Sequence, residues 1–122
     1  MTGLLTGLHR KVAGGFGAIL IVTGLLGFVV PADKALMSGA PAYDAFHLVF
    51  GLVGLLCAWA GARPSRAFCL GFGALDLYQA VAQLVGWWPL ALFRWTAWDA
   101  GLHWALGAAL VALALAPRGA RL

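Results

Sequence analysis

The stretch Asp44-Ala-Phe-His-Leu-Val-Phe-Gly51 places an aspartate, a histidine and a glycine inside an apolar run. A second stretch, Asp99-Ala-Gly-Leu-His-Trp-Ala-Leu-Gly107, repeats the arrangement. In both, an aspartate precedes the histidine by about one helical turn, and a glycine follows it by four residues. Because these stretches contain two of the chain's three histidines, we expect them to organise the fold and any binding site.

The composition around these stretches is typical of a membrane protein. The chain of 122 residues is 63% hydrophobic and 10% charged, and it contains no glutamate. Soluble domains carry roughly a quarter charged residues. So few polar residues would not cover a surface in water, so we expect an integral membrane protein that contacts the lipid bilayer. The length suits a single domain over residues 1–122.

Four apolar runs are long enough to cross a bilayer, which takes about 20 residues. Short loops rich in proline, glycine or arginine separate them, which predicts an all-α, antiparallel bundle of four transmembrane helices. The first run is longer than the apolar core of a secretory signal and lacks a good cleavage site after it, so we expect it to be retained. The predicted helices cover about residues 12–30, 43–60, 67–87 and 99–116.

Lysine and arginine are concentrated on one side of the predicted bundle. Six of the eight lie on the side of the two termini, and only Lys34 and Arg94 lie on the other. Basic residues favour the cytoplasm, so we expect both termini there, in a bacterial cytoplasmic (inner) membrane. We expect His9 to be solvated or at the headgroup level, and the four tryptophans between positions 87 and 98 predict an aromatic belt at the opposite face. The basic residues are too scattered to predict nucleic-acid binding.

A fixed offset of 56 positions relates the two halves of the chain. Either this offset is chance in a sequence rich in glycine and alanine, or a two-helix hairpin has been duplicated in tandem. We favour duplication, which would relate the hairpins by an axis along the membrane normal and place the two histidines at one depth. The offset separates His47 from His103, Gly51 from Gly107, Arg10 from Arg66, and Gly15-Phe-Gly-Ala18 from Gly71-Phe-Gly-Ala74.

Polar side chains recur inside three of the predicted helices. Those of the third helix are spaced to lie on one face. An ionisable residue inside a span normally faces protein or a cavity, so we expect the set to meet inside the bundle. It comprises Asp44, His47, Asp76, Gln79, Gln83, Asp99 and His103.

Three roles for this polar set are open. Its members could bond to one another and hold the helices together. His47 and His103 could ligate the iron of haem b or a divalent metal, with an aspartate one turn away accepting the second ring N–H. The acidic and imidazole groups could also conduct protons or small solutes through an oligomer. Cys57 and Cys69 lack a second cysteine pair, so we interpret them as free, small apolar residues.

The sequence contains no serine nucleophile motif, no glycine-rich phosphate loop beside a lysine and no HExxH. We therefore expect a protein without catalysis of its own, acting as an accessory or interaction subunit of a membrane assembly. The glycine-rich faces of the first two helices suit contact with other membrane proteins, self-association or internal packing. Haem or metal binding and conduction are the alternatives.

Several short motifs carry a resemblance to a known family. Thr23-Gly-Leu-Leu-Gly-Phe28, His47-x-x-x-Gly51 and Asp99-x-x-x-His103 resemble the domain-of-unknown-function family 4383, small bacterial four-helix membrane proteins. The resemblance covers nearly the whole chain and implies their architecture and topology, with no activity assigned. Tyr43-Asp44 occupies the place of the first two residues in the family's usual His-Asn-x-x-His pattern.

Overall fold

The computed structural model describes residues 2–35 and 37–116, with the side chains of all but residues 2–6 and 32 among them. This part of the chain is all-α and contains no strand. Four of its helices are long and apolar enough to cross a membrane, which confirms the predicted all-α class and the predicted number of long apolar helices. The helices are α1 (Thr2–Val29), α2 (Pro41–Ala60), α3 (Ala62–Val85), α4 (Leu90–Phe93) and α5 (Ala97–Leu115), with a 3-10 turn at Ala32–Lys34.

The first helix begins about ten residues earlier than predicted. We expected a polar N-terminal segment up to residue 11, but α1 begins at Thr2 and its apolar span runs from Gly7 to Val29. No proline interrupts residues 2–11, so the basic pair Arg10-Lys11 does not end the helix.

The connection between α2 and α3 is also shorter than predicted. We expected a basic turn over residues 61–66, but only Gly61 separates the two helices. Its φ of 138° lies in a region that favours glycine. Pro64 is the third residue of α3, where a missing N–H costs no helical hydrogen bond.

Two hairpins make up the bundle: α1 packs mainly on α2, and α3 packs mainly on α5. Glycines allow both pairs to approach closely. A methyl group added to Gly51 would lie 2.7 Å from the carbonyl oxygen of Gly17, and one added to Gly107 would lie 2.9 Å from that of Gly73. Each glycine of the second contact lies 56 positions after its counterpart in the first.

The end of the bundle near α1's N-terminal half has a second set of matched contacts. Arg10 Nε donates to the carbonyl of Ala58 at 3.0 Å, and Arg66 Nε donates to that of Ala114 at 2.6 Å. Both members of the second pair lie 56 positions after those of the first. These side chains satisfy carbonyls in the last turns of α2 and α5, which have no partner within their helices.

His9 is buried and not solvated; a solvated position was one of the two predicted for it. Its side chain is 3% exposed, and its Nε2 donates to the carbonyl of Leu113 at 3.0 Å. The side chain is buried because α1 continues through this position and turns His9 towards the end of α5.

The apolar core lies between the hairpins. Phe16 of α1 and Phe72 of α3 meet edge to face with ring centroids 5.5 Å apart, and these residues too are 56 positions apart. Cys69 is buried and Cys57 half-buried, and both are free thiols. The fully buried members of this core are Ala13, Leu20, Phe68, Cys69, Phe72, Leu110 and Ala114.

Three of the four tryptophans predicted to form an aromatic belt are exposed, and one is buried. Trp87, Trp88 and Trp98 are exposed, but Trp95 is 7% exposed and packs with Ala40, Tyr43 and Ala82. Trp95 is buried because the segment after α4 turns inward to begin α5.

Candidate functional site

Tyr43 stands between the two predicted site histidines. Its hydroxyl oxygen is 2.8 Å from Nε2 of His103, and its ring centroid is 4.2 Å from that of His47. Tyr43 lies one turn before His47 on α2 and is 3% exposed. Tyr43 was not among the polar residues predicted to meet inside the bundle. Its spacing of four residues from His47 was the available signal.

A small chamber of about 160 Å³ lies where the helices meet around this tyrosine. Its polar lining consists of Thr23, Tyr43, His47, Asp76 and His103, and the rest is apolar. The structure therefore brings both predicted histidines to one cavity, together with the aspartate of α3.

The polar stripe of α3 divides between two places. Asp76 is 3% exposed, and its Oδ1 accepts a bond from Gln79 Nε2 at 3.3 Å. Gln83 Nε2 instead donates to the carbonyl of Thr96 at 3.0 Å, just before α5. Of the three polar residues on this face of α3, Asp76 is the one that lines the chamber of the histidines.

Asp99 holds the start of α5. Its Oδ2 accepts from the backbone N–H groups of Thr96 and Ser38, each at 2.8 Å, and completes a capping box with Thr96. This arrangement ties the segment before α2 to the first turn of α5. Asp99 makes no hydrogen bond to His103, whose buried Nδ1 has no partner within the described part of the chain.

A wider cleft of about 410 Å³ opens beside the chamber. It lies between α1 and α5, which make few or no close backbone contacts. The cleft and the chamber share the side chains of Thr23, Met37, His47 and Leu102 as walls. Apolar residues dominate the cleft, and its polar or charged lining comprises Thr23, Lys34, Ser38, Asp44 and His47.

Asp44 and His47 are the buried, unpartnered groups of this cleft. Asp44 is 3% exposed and makes no side-chain hydrogen bond or ion pair within residues 2–35 and 37–116. Its carboxylate packs against Gly27 of α1, where any side chain would overlap it. His47 is 6% exposed, and its Nδ1 has no hydrogen-bond partner among the described residues. No hydrogen bond joins Asp44 to His47.

The described residues contain no group of three or more His, Cys, Asp or Glu side chains that could hold a metal ion. Axial ligation of haem through Nε2 of His103 would require this atom to give up its contact with Tyr43. The arrangement is better suited to hydrogen bonding and charge pairing with an organic molecule.

Neither the fold nor the sequence of this chain has a match among the known proteins compared with it. No protein-family model matches the chain, and no curated protein or solved structure matches it. The resemblance to family 4383 therefore stays a prediction.

Proposed function

We propose that this chain binds a membrane-dissolved organic molecule in the cleft between α1 and α5, as an accessory subunit without catalysis of its own. In this proposal it is a multi-pass protein of the bacterial cytoplasmic membrane with both termini in the cytoplasm. The observation that carries the proposal is an apolar cleft of about 410 Å³ with two buried, unpartnered polar side chains on its wall, Asp44 and His47.

The cost of burying a polar group supports a ligand. A polar side chain without a partner loses about 1–3 kcal/mol on burial, and a charged one loses more. Other buried polar side chains of the bundle have at least one partner: Asp99 Oδ2 accepts backbone N–H groups and Tyr43 contacts His103, although single atoms such as Asp99 Oδ1 and Gln79 Oε1 have none among the described residues. Asp44 and His47 lack such partners, so we infer that a bound molecule supplies them.

The position of the cleft favours entry from the bilayer. Its wall includes Leu26, Trp98 and Leu102, which are 54%, 61% and 39% exposed. Exposed apolar side chains on a candidate membrane span face lipid. A hydrophobic molecule dissolved in the bilayer would therefore reach the cleft without crossing water.

We also propose that the fold arose by tandem duplication of the α1–α2 hairpin. The matched glycine and arginine contacts of the two hairpins, each 56 positions apart, support it. Duplication would make the α1–α5 pair the counterpart of the α2–α3 pair. Helices α2 and α3 pack together, whereas α1 and α5 leave the cleft between them. The cleft thus lies where the two halves differ.

Photolabelling of the full chain in lipid nanodiscs tests the proposed function. The probe is a neutral long-chain alcohol that carries a diazirine, and the labelled peptides are identified by mass spectrometry. We expect labelling around Met37 and Leu102 that saturates and that unlabelled alcohol displaces. Labelling of the lipid-facing residue Leu84, which is 76% exposed, should rise linearly with probe concentration.

A matched pair of variants makes the test specific. Leu102→Trp fills the cleft and should abolish saturable labelling, whereas Leu84→Trp adds the same side chain on an exposed surface and should leave it intact. Labelling that never saturates at the cleft in the wild-type protein would refute the proposed function. The haem, metal and conduction alternatives have no comparable support from the described contacts.

A further inference from the structure

We propose that the ligand of the cleft is a hydrophobic organic cation, such as a quaternary or protonated amine, with Asp44 as its counter-charge. This inference rests on the proposed function and adds the chemical class of the ligand. It depends on the charge, the shape and the lining of the cleft.

Asp44 has no competing partner among the described residues. It lies in the first turn of α2, but no side-chain cap or ion pair engages its carboxylate within the described part of the chain. By contrast, Asp76 accepts a bond from Gln79, and Asp99 accepts bonds from two backbone N–H groups. Asp44 is therefore the acidic residue of the bundle interior that has no bonding partner.

The carboxylate of Asp44 lies in a narrow space between α1 and α2. Gly27 of α1 lies against it, and its lack of a side chain leaves room for the carboxylate between α1 and α2. From its position between α1 and α2, Asp44 lines the cleft, although only 3% of the residue's surface is exposed. A negative charge in so little water attracts a cation far more strongly than one at an aqueous surface.

The rest of the cleft lining is mainly apolar. Its apolar walls include Leu26, Met37 and Trp98, and the face of an indole ring attracts organic cations. A bare metal ion would lack further ligands, because no group of three metal-binding side chains exists among residues 2–35 and 37–116. The lining therefore favours a cation whose charge is attached to a bulky apolar body.

Lys34 is the other formally charged residue of the lining, and it is exposed in the 3-10 turn. It makes no ion pair with Asp44. Its charge at the edge of the cleft repels an incoming cation, so removing it should strengthen binding. This effect gives the proposal a second, opposite test.

The test measures binding of radiolabelled tetraphenylphosphonium to the full chain in nanodiscs by equilibrium dialysis. We expect saturable binding to the wild-type protein, at least tenfold weaker binding to Asp44→Asn, and several-fold tighter binding to Lys34→Met. Asp33→Asn is the matched control, because Asp33 is exposed and does not line the cleft. Equal affinity of the wild type and Asp44→Asn would overturn the proposal.

A second measurement uses the wild-type protein alone, so it does not depend on the folding of any variant. Tetraphenylphosphonium and tetraphenylborate have nearly the same size and shape and opposite charges. We expect the cation to displace the neutral photolabel at concentrations at least tenfold lower than the anion. Equal displacement by both, or stronger displacement by the anion, would overturn the cationic class. Saturable labelling that neither ion displaces would do the same and leave the proposed function standing, whereas no saturable labelling would refute both.

Discussion

The hydroxyl of Tyr43 connects the two hairpins at the centre of the site. It bonds to His103 across 2.8 Å in a buried setting. Tyr43→Phe removes the hydroxyl and leaves His103 Nε2 without that partner, so we expect a loss of about 1 kcal/mol in the free energy of unfolding. Unfolding in mixed micelles of mild detergent and dodecyl sulfate would measure it.

Tyr78→Phe is the control for this prediction. The hydroxyl of Tyr78 also makes a hydrogen bond, to the carbonyl of Trp88 at 2.7 Å, but the residue is 42% exposed. Its removal leaves no buried group unpaired, so we expect little change in stability. Equal losses in the two variants would show that the contact between Tyr43 and His103 has no special weight.

For single residues, the sequence predicted which polar side chains lie inside the bundle better than it predicted their hydrogen-bond partners. Asp44, Asp76 and His103 were placed inside the bundle because ionisable groups in a span avoid lipid, and they are buried. Among the roles left open for His103 was a contact with Asp99, one turn away, but Asp99 bonds to Ser38, which is 61 positions distant. Sequence spacing describes neighbours on one helix, whereas a loop brought across the bundle leaves no periodic signal.

At the scale of helices, glycines set the close approach within each hairpin, and Gly51 and Gly107 occupy matched positions. A methyl group at Gly51 would lie 2.7 Å from a carbonyl oxygen of α1, and one at Gly107 would lie 2.9 Å from one of α3. The helices must shift to admit either methyl group, so Gly51→Ala and Gly107→Ala should each cost about 1–3 kcal/mol. The same mixed-micelle unfolding measurement applies.

Gly71→Ala provides the control at this scale. Gly71 lies in α3, and a methyl group there would meet nothing within 4 Å. Because alanine favours helix over glycine by up to about 1 kcal/mol, this variant should be neutral or more stable. A loss at Gly71 as large as that at Gly51 would mean that glycine itself, and not the helix contact, sets the stability.

The helix boundaries show where prediction from sequence reached its limit. Apolar length predicted the four long apolar helices correctly, but it did not predict that α1 extends back to Thr2 or that α3 begins at Ala62. Basic residues such as Arg10 and Arg66 were taken as loop signals. Both lie inside helices, because their side chains bond to carbonyls at the ends of neighbouring helices.

For the whole molecule, the orientation that we propose in the membrane rests on the distribution of basic residues. If both termini are cytoplasmic, the loop that contains Lys34 lies outside and Arg63 lies inside. In a background without the native cysteines, a membrane-impermeant maleimide should label Lys34→Cys in intact cells and Arg63→Cys only after lysis. The reverse pattern would invert the proposed topology.

The arrangement of the two hairpins leads to the last prediction, which concerns the complete bundle. Each hairpin packs chiefly within itself, and the single residue Gly61 connects them. Between the hairpins lie Phe16 against Phe72 and Tyr43 against His103.

A break in the chain beside Gly61 should therefore remove few contacts, and residues 1–60 and 61–122, expressed as two chains in one cell, should copurify. Phe72→Ala should weaken this association by removing the central ring contact, whereas Leu84→Ala, on the exposed face, should not. Halves that fail to copurify would show that the covalent link, and not the packing between the hairpins, holds the bundle together.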